Sequence, residues 1–263
     1  MKAFSISIVS HGHAKYVKSL LQSLGALRRS DLEVILTLNY PEDIGLDMAS
    51  LPFPVTVITN PVRQGFAANH NAAFKVSKGD NFIILNPDVE LLEDPFSALA
   101  DVMLEYPNAL YAPVVVNHAG AMEDSMRFFP NPWILVKKLM AKLMSRKLPI
   151  DRVHSVGEVM LPDWVAGMFI VTPRRIYSEL AGLSERYHMY YEDVDFCARA
   201  QLAGHQVVVS KRAQVVHEAQ RDSHRKLQYL LWHMQSACLF FSSEAFLKIH
   251  WRRLRGAPVS AAR

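Results

Sequence analysis

From residue 4 to residue 85, short apolar runs alternate with stretches of helical spacing, and a chain built this way has few folds open to it. Phe4, Ile6 and Ile8 alternate with Ser5 and Ser7, the period-two pattern of a strand. Tyr16, Val17, Leu20, Leu21, Leu24 and Leu27 fall on one face of a helix over 14–27. Strands are expected at 32–38, 55–59 and 82–85, with a Pro-rich loop and a helix across about 66–77 between them. Such repetition implies an α/β fold, a mixed and mostly parallel central sheet flanked by helices. Ligands of such sheets sit beyond the C-terminal strand ends. Ser10 and His11, Asn39, Asn60, and Asn86 with Asp88 are therefore expected to gather at one polar rim.

Further along, Asp94-Pro95 opens a helix as N-cap and first-turn proline. Strands are expected at 110–116 and 164–171, and a short helix after Thr172-Pro173. A helix over 192–203 stops at Gly204, and the last strands fall at 207–209 and 214–216. The pattern from 223 to 251 is helical. This divides the chain into a domain over 1–222 and a C-terminal helical extension over 223–263, packed on it. The extension is basic: residues 211–263 hold 10 Lys and Arg against 3 Asp and Glu, while the whole 263-residue chain carries only +4. Phosphate, on a nucleotide or on lipid headgroups, is the partner that such a charge suits. No nucleic-acid partner is expected.

The N-terminus has the period of a strand rather than of a signal helix, and no run reaches the roughly 18–20 apolar residues of a membrane span. Only Cys197 and Cys238 occur, without metal or redox spacing, which points to a reduced, cytoplasmic compartment. Residues 133–148 interleave Lys137, Lys138, Lys142, Arg146 and Lys147 with Leu139, Met140, Leu143 and Met144. Two readings stay open for them: a surface helix on the core, or an interfacial helix resting on anionic lipid at the inner face of the cell membrane.

Four groups could carry chemistry. Asp88 follows a very apolar strand in Asn86-Pro87-Asp88; a turn aspartate is common, but a strand-end carboxylate can also bind Mg²⁺ or Mn²⁺ and so bridge a diphosphate. Glu192, Asp193 and Asp195 open a helix, where the macrodipole alone favours acids. The preceding His188-Met189-Tyr190-Tyr191 would wall a partly dry pocket for a sugar ring, in which a carboxylate can take a hydroxyl proton. His217, ahead of Glu218, Arg221, Ser223, His224 and Arg225, can complete a metal site while arginine holds phosphate. In the 63–71 stretch, Arg63 and Gly65 precede a helix N-terminus that attracts anions. That loop lacks the spacing of a Walker loop or a dinucleotide fingerprint, which removes support for triphosphatase and dehydrogenase readings.

Six segments, SISIVSHGH, NPVRQGFAANHNAAF, FIILNPDVEL, DWVAGMFIV, YHMYYEDVDFCARAQLAGHQVVV and VVHEAQRDSHR, keep one order between residues 5 and 225. Together they resemble family-2 glycosyltransferases, especially the bacterial rhamnosyltransferase-like branch. The resemblance implies a GT-A fold binding a nucleotide-diphosphate sugar, with inverting transfer and a divalent cation. By position it implies Asp193 as the catalytic base with Glu192 as its support, and Asp88 and His217 at the metal. It further implies donor contacts from Ser10, Asn39, Arg63, Gly65, Asn69, Asp88, Trp164, Gly167 and Arg221. Asn86 and Asn39 stand where many relatives carry aspartates, so one strong metal ligand is expected at the strand end, and an amide contact to the base.

The expected function is transfer of a sugar, rhamnose being one candidate, to a glycan or lipid-linked saccharide in cell-surface polysaccharide synthesis. Two other classes stay open. A nucleotidyltransferase would want a Gly-rich, basic loop after the first strand, for which Ser10-His11-Gly12-His13 is poor. A catalytically silent glycan- or nucleotide-binding protein of the same fold is favoured only by Asn86 and opposed by the intact Glu192-Asp193.

Overall fold

The computed structural model describes residues 3–132, 140, 144, 153–217 and 227–256. Its strands are β1 (Phe4–Ser10), β2 (Leu32–Leu38), β3 (Val55–Thr59), β4 (Asn81–Leu85), β5 (Val89–Glu90), β6 (Ala109–Val116), β7 (Met126–Arg127), β8 (His154–Val156), β9 (Val159–Leu161), β10 (Trp164–Val165), β11 (Phe169–Pro173) and β12 (Gln206–His217). The helices are α1 (Ala14–Ala26), α2 (Phe66–Val76), α3 (Pro95–Glu105), α4 (Arg174–Glu179), α5 (Glu192–Leu202), α6 (Leu227–Phe241) and α7 (Glu244–Leu254).

The main sheet runs β3-β2-β1-β4-β11-β6-β12-β9-β8, with β5 hydrogen-bonded to β12. The β1, β2, β3 and β4 neighbours pair in parallel, as do β6 and β12. β11 runs against both its neighbours, β4 and β6. The sheet is thus mixed, parallel from β3 through β4 and again between β6 and β12, with β11 set against the parallel strands between them.

Strand alternation divides the core in two. On β4, Ile83 and Leu85 face one cluster with Val17, Leu20, Leu21 and Leu24 of α1 and Phe96, Leu99 and Val102 of α3. Phe82 and Ile84 face the other, with residues of α2, α4 and α5 and with Ala237, Phe240, Ala245 and Ile249 of α6 and α7. Each fully buried aliphatic side chain contributes on the order of 2 kcal/mol. β1 is buried on both faces, so its serines need partners. Ser5 Oγ donates to Glu33 Oε1 at 2.5 Å and Ser7 Oγ lies 2.8 Å from His70 Nδ1.

Three elements differ from the sequence expectation. The 164–171 strand is two, β10 and β11, because the chain turns at 166–168. The 207–209 and 214–216 strands are one, β12, with a register shift between Ser210 and Gln214. The helix expected across 223–251 breaks before Ser243, whose Oγ accepts from Phe246 N at 3.1 Å and caps α7. Residues 133–139, 141–143 and 145–148 of the amphipathic stretch lie outside the described residues, as do Glu218, Arg221, Ser223, His224 and Arg225; Met140 and Met144 are exposed.

Candidate active site

Asp88 reaches its position because β4 ends at Leu85 and the chain turns at once. Asn86 N donates to Met168 O at 2.8 Å, and Val89 N to Asn86 O at 3.3 Å. Val89 then pairs with His217 at the end of β12, which brings the two side chains together. His217 Nε2 lies 3.3 Å from Asp88 Oδ2, with His217 8% exposed. Burial pushes the Asp88 carboxyl up, but the His217 hydrogen bond and charge, with His13 further off, outweigh it and hold Asp88 below the usual carboxylate range. Asp88 Oδ1 is buried without a hydrogen-bond partner. An orphaned carboxylate oxygen beside an imidazole fits a divalent cation. Among the described residues no group of three or more His, Cys, Asp or Glu could hold a metal; Asp88 and His217 are the two donor-type side chains that meet here.

The second acid group sits on the turn into α5. Asp193 Oδ2 accepts from Gly167 N at 3.0 Å, and Oδ1 from Val194 N at 2.8 Å. Gly167 is next to Met168, the residue bonded to Asn86. Two hydrogen bonds across residues 166–168 therefore link the Asp88 turn to the Asp193 turn. Gly167 lets this seam pack closely: a Cβ there would meet the Phe66 ring at 3.3 Å and Asp193 Cβ at 3.6 Å.

The three acids of this turn have different fates. Glu192 is 7% exposed and its Oε2 has no hydrogen-bond partner. Burial first, and the adjacent Asp193 charge second, push its carboxyl far above the usual range. Burial also raises Asp193, but two backbone N–H groups, the helix N-terminus and the Arg127 charge favour its ionised form. Both carboxyls are therefore pushed up by burial, and the backbone N–H partners oppose that push at Asp193. Asp195 serves structure: Arg199 Nε lies 2.7 Å from its Oδ2, and the Tyr187 hydroxyl donates to Oδ1 at 3.3 Å.

The rim beyond β1, β2 and β3 is an amide network. Asn39 Oδ1 accepts from Asn60 Nδ2 at 2.7 Å and Gln64 N at 2.8 Å, while Asn39 Nδ2 donates to Gln64 O at 2.9 Å. Asn60 Nδ2 also donates to Asn69 Oδ1 at 2.6 Å, and Asn69 Nδ2 to Gly65 O at 2.9 Å. Asn39 and Asn69 are each 1% exposed. Their geometry shapes the 60–65 loop, which presents Arg63 with its guanidinium 4.9 Å from the Tyr40 ring centroid. Ser10 is fully buried and its Oγ accepts from His13 N at 3.2 Å, at the start of α1. Gly65 is the N-cap of α2, and a Cβ on it would lie 3.2 Å from His188 O, so it lets the loop before Glu192 pack down.

Trp164 is partly exposed, donates Nε1 to Phe128 O at 3.0 Å and stacks under Arg127 at 5.5 Å. Arg221 lies outside the described residues. The structure thus gathers Asp88 with His217, Glu192 with Asp193, and Gly167 between them, with Asn39, Arg63, Gly65 and Asn69 along the rim. Sequence reasoning missed Arg127, which the two-residue pairing of β7 with β10 sets opposite Trp164 and whose charge favours ionised Asp193. It also missed Asn60, named only as a strand end, and His13, whose charge also favours ionised Asp88.

The model for Glycosyl transferase family 2 matches residues 5–150. The rhamnosyltransferase WbbL of Escherichia coli K12 is 25% identical over 253 residues, covering 92% of this chain and 94% of its own. An N-acetylglucosaminyl-diphospho-decaprenol L-rhamnosyltransferase of Mycobacterium tuberculosis is 27% identical over 182 residues, and the match takes in 62% of this chain and 55% of that protein. Among solved structures, S. aureus TarS in complex with UDP-GlcNAc aligns over 93% of this chain and 68% of its own, with TM-score 0.60 and 15% identity. A mannosyltransferase from Pyrobaculum calidifontis, in complex with GDP-Man and Mn2+, aligns over 89% of this chain and 64% of its own, with TM-score 0.59 and 14% identity. These likenesses establish the GT-A fold. With more than half its length matched by the family model, the chain belongs to glycosyltransferase family 2 and is a glycosyltransferase.

Proposed function

We propose that the protein moves a sugar, L-rhamnose being the first candidate, from a nucleotide-diphosphate donor to a hydroxyl of a lipid-linked saccharide, inverting the anomeric centre, in assembly of a cell-surface polysaccharide. Two relatives named as rhamnosyltransferases support the sugar, and the decaprenyl diphosphate in one name supports the acceptor. The observation that supports the reaction is the seam at 167–168, where adjacent residues hydrogen-bond Asp193 and the Asp88 turn.

Asp193 accepts the proton of the attacking hydroxyl. Partial burial makes it a stronger base than an exposed aspartate, and its two N–H partners fix the carboxylate's direction. Burial and the Asp193 charge raise the Glu192 carboxyl, which disfavours a second charge beside the base. Arg127, paired with Asp124, lends its charge to the surroundings of Asp193, and Arg63 is assigned to the donor, where its cation suits phosphate. Asp88 and His217 are the residues that would hold a divalent cation, whose chemistry there would be charge neutralisation for the departing diphosphate. Arg221 is assigned to the same diphosphate. Ser10, Asn39, Asn69, Trp164 and Gly167 are assigned to shaping the donor pocket.

Residues 223–263 are proposed as an extension resting on the 1–222 domain at the cytoplasmic face of the membrane. No helix among the described residues is long and apolar enough to cross a bilayer. α6 exposes Leu230, Leu231 and Met234, and α7 exposes Leu247, Trp251 and Leu254 close to Lys248, Arg253 and Arg255. Mixed apolar and basic surface of this kind suits anionic headgroups. Donor hydrolysis over a panel of deoxythymidine- and uridine-diphosphate sugars tests the reaction: release of nucleotide from one of them supports it, and none released from any would refute it. Flotation with anionic vesicles tests the membrane claim separately.

A further inference from the structure

Helix α6 lies over the turn that carries the acid pair, and several contacts tie it there. Ser236, 2% exposed, donates its hydroxyl to the Met189 carbonyl at 2.8 Å. Trp232 packs on His188 with ring centroids 4.8 Å apart. His233 sits against both Tyr190, at 5.4 Å, and Tyr191, at 5.3 Å. Phe240, fully buried, closes on Tyr191 at 5.6 Å.

That turn needs holding. Tyr190 and Tyr191 have φ of 70° and 68°, two consecutive side-chain-bearing residues in the left-handed region. An L-residue there is strained, and neither position has the glycine or asparagine that adopts the region readily. Tyr191 is also the N-cap of α5, and its carbonyl accepts from Asp195 N at 2.9 Å. Its backbone therefore sets where the first turn of α5, and Asp193 with it, points. From below, the N-terminus of α2 presses on the same segment, with Gly65 in close approach to His188 O. Relaxation of the tyrosine pair is blocked from below by α2 and from above by α6.

We propose that Ser236 and His233 are positioning residues: α6 is a clamp that keeps Tyr190 and Tyr191 left-handed and so keeps Asp193 aimed at the acceptor hydroxyl. The role given to Asp193 rests on the transferase reading; the clamp is a property of the turn itself. Neither residue touches the reacting atoms. Their loss acts on kcat, because a base displaced by a fraction of an ångström still leaves the donor bound.

The test uses the full chain with Ser236→Ala, His233→Ala and His233→Phe. Each alanine variant is expected to lower kcat by about tenfold, and the two together by on the order of a hundredfold, with donor KM held within about twofold. His233→Phe keeps the ring contacts and is expected to restore kcat. Hydrogen exchange is expected to speed up over 188–193 in Ser236→Ala while β1 and β4 keep their protection. Unchanged kcat in both alanine variants would overturn the clamp, as would protection lost evenly across the chain or a phenylalanine variant no better than alanine. If the wild-type protein transfers no sugar, the transferase reading fails, and exchange at 188–193 still decides the clamp.

Discussion

Replacing Gly167 by alanine probes the seam between the two acid turns without removing any hydrogen-bonding group. Alanine keeps the N–H that Asp193 accepts at 3.0 Å. The new Cβ meets Phe66 Cζ at 3.3 Å and Cε1 at 3.4 Å, and Asp193 Cβ at 3.6 Å. The last contact is ordinary; the first two require the ring to give way by a few tenths of an ångström. Phe66 is braced by His70, whose ring centroid is 4.4 Å away and whose buried imidazole is driven down to a pKa of about 3, first by burial and second by His11. Overpacking of this kind costs about 1–3 kcal/mol. Loss of chain entropy in the unfolded state returns about 0.4–1 kcal/mol, so the net destabilisation is roughly 0–2.5 kcal/mol. The protein stays folded, while the turn carrying Asp193 shifts relative to the donor site. Urea unfolding should therefore show a small change, and steady-state transfer assays a kcat lower by about tenfold or more. A kcat within about twofold of wild type would refute the reasoning. A raised donor KM with unchanged kcat would instead give Gly167 a role in donor contact.

Asp88→Ala strands His217 without its carboxylate partner, so donor KM should rise and the response to added Mg²⁺ or Mn²⁺ should flatten; unchanged nucleotide affinity in calorimetry counts against the assignment. Because Asp88 is held below its ordinary value, it contributes stability above the unfolded-state pKa that is lost as pH falls through the folded value, and acid unfolding of Asp88→Asn should lack that component. Glu192 has the opposite sign: its raised pKa gives stability that is full below the unfolded value of about 4.5 and declines as pH rises toward the folded one. Melting temperatures of Glu192→Gln should accordingly depend less on pH between 5 and 8 than those of wild type, and an identical profile would show that Glu192 is already ionised. Asn39→Ala removes a side chain making three hydrogen bonds to Asn60 and Gln64, each worth about 1 kcal/mol, and donor KM should rise as the 60–65 loop loosens. Unaltered donor KM would detach that loop from the binding site.

The parallel half of the sheet was legible because β2 and β4 read as apolar runs and β1 as a period-two alternation, and their ends mark the rim. The acid turn was legible for a different reason: three carboxylates after two aromatic rings are hard to explain by helix capping alone, and two of them prove buried. Asn39 shows where local reading stops. The resemblance implied a contact to the base, while the Asn39 side chain is held by His11 after β1 and by Asn60 and Gln64 of the loop after β3. Arg127 escaped notice because a two-residue strand carries no periodicity. The Gly167 turn was hidden inside an apolar run, where one glycine is weak evidence for a break until the Phe66 ring above it is known. Likewise, only packing revealed that α6 bears on Tyr190 and Tyr191, since left-handed tyrosines carry no sequence signal.

The most direct measurement pairs turnover with donor binding in Asp193→Asn. The amide keeps an oxygen for the Gly167 N–H and nearly the same volume, but it cannot take a proton. Transfer should fall by roughly 10²–10⁴-fold while the donor's Kd, measured by calorimetry, stays at its wild-type value. Full turnover by the variant, or donor binding lost along with it, would contradict the assignment of Asp193 as the base.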